Sequence, residues 1–161
     1  MKEYKVGAYV KLAKLWEKKR TEATEYHRNY YRKKFESTED MSLYGVYIDI
    51  TGKKEIYNRP GMVRLMKDCQ MAKVDCIATQ TKAYLAANTE EFFFLVHFLF
   101  KLPHRIDIVT EDQEYNINTI KNTDAQRNAL KATADKYVGI EPARYDDWCH
   151  NITLAMNNLE E

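Results

Sequence analysis

The chain has 161 residues, 45% apolar and 30% charged, with a formal net charge of +1. That length carries one compact domain with a real core and excludes two ordinary ones. The near-zero net charge excludes strong whole-molecule attraction to nucleic acid, so any DNA affinity must come from a local patch.

Three cysteines, Cys69, Cys76 and Cys149, are odd in number and lack C-x-x-C spacing. With no signal-peptide pattern at the start, they read as free thiols in a reducing cytoplasm. The longest apolar run, Phe92 to Phe100, is bracketed by Glu91 and Lys101. It is too short for a bilayer, which needs roughly 20 apolar residues, so a membrane protein is not expected.

Tyr4 to Leu12 reads as a first strand, nearly all apolar, as suits a strand buried on both faces of a parallel sheet. A highly charged helix is expected over 21–36, with Tyr26, Tyr30 and Phe35 as anchors. Ser42 to Ile50 is the second strand, followed by a loop at Gly52. Pro60 opens a second helix whose Met62, Leu65, Met66 and Cys69 form one apolar stripe. Val74 to Thr79 is the third strand, Asn88 to Lys101 a buried third helix stopped by Pro103, and Arg105 to Thr110 the fourth strand. Two more helices are expected over 123–137 and 143–159, separated by a break from Gly139 to Pro142.

This alternation predicts an α/β three-layer sandwich with a central, mainly parallel sheet of four to five strands and extra carboxyl-terminal helices. Residues 1–161 are expected to form one domain, with an α/β core over about 1–120 and helices over about 121–161. Functional residues are expected at the carboxyl ends of the strands, near Leu12 to Lys14, Ile50 to Thr51, Thr79 to Lys82 and Thr110 to Asp112.

An ordered series of short motifs runs through this framework. Tyr47-Ile48-Asp49 ends a strand; Thr51-Gly52-Lys53 forms a loop; Asn58-Arg59-Pro60-Gly61-Met62 opens a helix. Lys73-Val74-Asp75-Cys76-Ile77 leads into the third strand, then come Leu85, Asn88 and the apolar helix. Ile106-Asp107-Ile108-Val109-Thr110-Glu111 closes the series, and Lys5-Val6-Gly7-Ala8-Tyr9 opens it. In order and spacing, over about two thirds of the chain, this resembles the catalytic domain of the serine site-specific recombinases, the resolvase/invertase family.

The resemblance implies a resolvase-like fold and a site where a serine attacks a DNA phosphodiester while arginines stabilise the developing charge. The family's opening Tyr-x-Arg-x-Ser is matched here by Tyr9-Val10-Lys11-Leu12-Ala13. Lysine replaces the arginine, and alanine replaces the nucleophile. The family's Arg-x-x-Arg-Asn is matched by Tyr84-Leu85-Ala86-Ala87-Asn88, so Tyr84 and Ala87 stand at the arginine positions. Arg59 survives. Lysine replaces a bidentate guanidinium poorly, tyrosine and alanine not at all.

The only serines, Ser37 and Ser42, lie between the first helix and the second strand, at the opposite edge of the expected sheet. The resemblance therefore implies a protein of DNA recombination with no intact catalytic residues, acting by weak, non-specific association with DNA or by association with an active serine recombinase. Lys11, Arg59 and Asn88 are its expected DNA contacts. The family also dimerises through the helix after the sheet. The apolar positions Trp148, Ile152, Ala155, Met156 and Leu159 either form such a surface or pack on their own domain.

Other readings remain. One is an active recombinase subunit, in which either Ala13 is not the position matching the nucleophile or a partner supplies it. Another is an unrelated doubly wound small-molecule binder, although no Gly-rich loop follows the first strand. Asp49, Asp75 and Lys82 faintly suggest a receiver domain, but no acidic pair follows that strand. His27, His97, His104 and His150 lack metal-ligand spacing; His97 reads as a hydrogen-bonded core residue, and no metal or cofactor is expected. The basic clusters Lys14, Lys18, Lys19, Arg20 and Arg28, Arg32, Lys33, Lys34 read as a solvated, salt-bridged surface or as a phosphate-facing patch, the former favoured by nearby Glu22, Glu25 and Glu36.

Overall fold

The computed structural model describes residues 3–112, 116–120 and 124–159. Four strands, β1 (Tyr4–Leu12), β2 (Met41–Ile50), β3 (Cys76–Thr79) and β4 (Asp107–Thr110), form a sheet of order β2-β1-β3-β4. Every neighbouring pair is parallel. An antiparallel bridge from Val109 to Asn118 extends the β4 edge. The α/β architecture matches the expectation.

Helix α1 (Arg20–Glu36) covers one face, and α2 (Pro60–Gln70) and α3 (Thr89–Phe100) the other. Strand order reverses between β1 and β3. A right-handed crossover to β2 and one back to β3 must then lie on opposite faces. The period-two alternation of β1 serves both layers: Val6, Ala8 and Val10 pack with Tyr31 and Phe35 of α1, while Tyr9 joins the larger cluster under α2 and α3. Helices α4 (Ala125–Ile140) and α5 (Pro142–Asn157) pack outside α2 and α3.

Several boundaries differ from the sequence expectation. β3 begins at Cys76, not Val74, because the Val74 amide closes the end of α2 on Asp68 O (3.2 Å). β4 begins at Asp107, opposite Cys76; Arg105 lies before the ladder and pairs with Asp107 and Asp124. Gly139 and Ile140 remain helical, so the break narrows to Glu141. The expected helix start at Thr123 lies outside the described residues. On α1 the buried anchors are Ala23, Tyr31 and Phe35, and Tyr26 is 66% exposed. Spacings of four and eight keep the anchors on one helical face, from which Tyr26 is turned away.

The stripe on α5 packs on its own domain. Trp148, Ile152 and Met156 are buried in the α2–α3 cluster, with Ala155 and Leu159 packed against it. His97 is a core histidine bonded to Asp135 (2.7 Å). Among the described residues no helix is long and apolar enough to cross a membrane.

Candidate functional site

Strand order reverses between β1 and β3, and at the carboxyl ends of the strands there, open α/β sheets place their ligand crevice. β1 delivers Lys11 and Ala13 to this edge, and β3 continues into the 81–88 loop carrying Tyr84, Ala87 and Asn88. The residues expected to form the site therefore do converge on one edge. Ser37 and Ser42 lie at the opposite edge, where Ser42 pairs with Lys5 at the start of β1.

Beneath this edge lies a buried polar network. Asp49, 6% exposed at the end of β2, accepts from Tyr9 Oη (2.8 Å) and from the amides of Gly61 (2.8 Å) and Met62 (2.9 Å). The carboxylate thus caps α2 from another strand, satisfying amides that the helix cannot. Gly61 is required there, because a Cβ would stand 2.9 Å from Asp49 Oδ2. Tyr9 also accepts from Arg59 Nη1 (3.1 Å).

Arg59 is fully buried. Its Nη1 donates to Tyr84 O (2.6 Å) and its Nη2 to Lys54 O (3.0 Å). Nε has no hydrogen-bond partner. The one arginine retained from the resemblance is thus turned inward, tying the β3 loop to β1 and to the segment before α2. Burial, and then the Asp49 carboxylate, push the Tyr9 hydroxyl well above the ordinary tyrosine range. It stays a protonated donor between Arg59 and Asp49.

The surface above is of a different kind. Lys11 is half-buried and Ala13 exposed. A cleft of about 510 Å³, lined by Lys14, Glu17, Ile50, Thr51, Gly52 and Lys53, opens where β1 and β2 end. Across this edge the lining turns acidic: Glu55, Glu90, Glu91 and Asp147 surround Ala87 and Asn88, with Arg144 paired to Glu90 (2.6 Å).

Asn88 does not lie within α3, as expected, but caps it, its Oδ1 accepting from the Glu91 amide (2.9 Å). Glu91, missed in the sequence reading, is buried and accepts from the amides of Ala87 (2.7 Å) and Ile56 (3.1 Å) and from Trp148 Nε1 (2.8 Å). The Asn88-x-x-Glu91 spacing, that of a capping box, was the available signal. A second missed tie is Glu111 after β4. It accepts from Tyr30 Oη (2.6 Å) and pairs with Lys34 (3.5 Å), pinning α1 to the sheet end; this bond, with burial second, pushes the Tyr30 hydroxyl up to about 12.

Among the described residues no three His, Cys, Asp or Glu side chains gather as a metal site needs.

The parallel β2-β1-β3-β4 sheet and its flanking helices form the fold seen in serine recombinase catalytic domains. Three solved structures share it. The amino-terminal catalytic domain of TP901-1 integrase aligns at 17% identity and TM-score 0.59, over 85% of this chain and 98% of that one. A resolvase family site-specific recombinase from Streptococcus pneumoniae aligns at 16% and 0.54, over 95% and 99%. The carboxyl-terminal catalytic domain of ISC1926 TnpA, an IS607-like serine recombinase, aligns at 15% and 0.50, over 84% and 99%. No family model matches the sequence, and no curated protein sequence is similar to it.

Proposed function

We propose that this chain acts in DNA recombination by association, with DNA or with an active serine recombinase, and does not itself cut DNA. The observation that carries the reading is Ala13, a methyl group at the exposed end of β1 where the resemblance places the nucleophile. A methyl group cannot attack phosphorus.

Three further features support it. Tyr84 and Ala87 bring no charge to the β3 loop. Arg59 spends its guanidinium on two carbonyls and a tyrosine. The side of Asn88 that faces α5 is acidic and repels phosphate. What remains on the β1 side is lysine, which holds phosphate as a point charge without bidentate positioning. Lys11 is the proposed DNA contact; Arg59 and Asn88 are proposed as residues that position the loops. The free thiols of Cys69, Cys76 and Cys149 suit the cytoplasm.

The test is affinity purification of the intact protein from its source cells after mild cross-linking, identifying the protein and DNA recovered. An intact serine recombinase, with or without its DNA site, is the expected result. Recovery of neither would overturn the reading and leave the fold alone.

A further inference from the structure

We propose that the surface formed by residues 11–34 binds an unpaired nucleic-acid strand, with Trp16 and Tyr26 stacking on its bases and Lys14, Lys18 and Lys19 holding its backbone. The inference stands on this surface alone, so its failure would leave the reading of Ala13 untouched.

Charge is concentrated here. Residues 11–34 hold nine Lys and Arg against three Glu, a net of +6 in a chain whose total is +1. Arg20 is neutralised by Glu17 (2.6 Å), and Lys34 by Glu111 (3.5 Å). Among the described residues, no carboxylate lies within ion-pairing distance of Lys14, Lys18 or Lys19. The expected solvated, salt-bridged surface therefore describes only part of this stretch.

Apolar groups are exposed amid that charge. The 3-10 turn Lys14–Lys19 buries none of its residues, yet carries Leu15, 71% exposed, and Trp16, 43% exposed. Tyr26 stands beside them, 66% exposed. Between them lies a concave, largely apolar cleft of about 410 Å³, lined by Leu12, Trp16, Glu22, Ala23, Tyr26 and His27. It begins at Leu12, next to Ala13, at the carboxyl edge of the sheet.

The occupant follows from the combination. Unpaired lysines call for a polyanion. Exposed rings gain nothing from duplex DNA, whose bases are stacked on each other, but gain a stacking partner from every unpaired base. The concave cleft between the two rings admits a planar base edge.

Trp148 is 6% exposed, so fluorescence quenching reports on Trp16. The full chain is titrated with short oligothymidine, oligouridine, a duplex of equal length, and phosphatidylserine vesicles. Quenching by one or both single strands, and weakly by the duplex, is the expected result; the better of the two identifies the strand as DNA or RNA. Trp16→Ala, read by anisotropy of a labelled strand, weakens binding about tenfold. Replacing Lys14, Lys18 and Lys19 by Gln lowers the slope of log affinity against log salt by about two. These side chains are exposed, and Trp148 emission confirms the fold of each variant. Binding that prefers the duplex or ignores Trp16, or quenching by vesicles without either single strand, would overturn the proposal.

Discussion

Two layers of the same sheet edge differ in how their polar groups are used. Below, Tyr9, Asp49 and Arg59 are buried, and hydrogen bonds tie them to one another and to backbone groups from three segments. Above, Ala13, Lys14 and Trp16 face water beside the half-buried Lys11, and among the described residues Lys14 has no carboxylate partner. The lower layer resists change, because removing one member strands the others in a low dielectric. The upper layer accepts substitutions at little cost to folding. The two layers therefore differ in what a substitution costs: a change at position 13 costs the fold little, while loss of Arg59 would open it.

The comparison breaks most readily at Arg59. Arg59→Met leaves Tyr84 O, Lys54 O and Tyr9 without their donor and costs about 3–4 kcal/mol, a fall in Tm of roughly 10 °C, read by urea and thermal unfolding. A loss under about 1 kcal/mol would mean the lower layer is not the pin described. Asp49→Asn keeps one acceptor but loses charge at the α2 amides, and costs about 2 kcal/mol by the same measurement.

Alkaline pH sharpens the contrast. Burial, followed by the carboxylates they bond, raises Tyr9 and Tyr47 above the ordinary value of 10.0. Their folded values are raised, so the stability they contribute is fully present below pH 10 and is lost as pH rises beyond it. Urea midpoints fall above about pH 10 for the native chain, and fall less steeply for Tyr9→Phe. Smaller still is Ala72, a non-glycine residue with φ of 61° after α2. Ala72→Gly stabilises by about 0.5–1 kcal/mol, since glycine pays little for that conformation. In the upper layer, Ala13→Ser changes stability by less than about 0.5 kcal/mol.

The sheet was legible because its signals are local. The apolar run of β1, Pro60 at the start of α2 and the stripe from Met62 to Cys69 each declare an element from neighbouring residues alone. The motif order around Asp49 and Arg59 likewise indicated which segments meet. What those side chains do there was not legible. An arginine beside a proline looks the same in sequence whether its guanidinium faces phosphate or two carbonyls of its own chain. Glu91 read as one charge bracketing an apolar run, and its donors Ile56 and Trp148 are 35 and 57 residues away. Tyr26 and Tyr31 differ only in helical phase, which the weak amphipathicity of a highly charged helix left unresolved.

The central claim is that this edge of the sheet holds DNA or a partner without cutting. Its most direct test mixes the purified chain with labelled DNA carrying the sequence recovered by cross-linking, denatures the mixture, and asks whether label stays attached to protein. The account predicts no covalent adduct, for the native chain and for Ala13→Ser, because Tyr84 and Ala87 leave phosphate without its arginines. A 5′-phosphate joined to any residue of the native chain would contradict it.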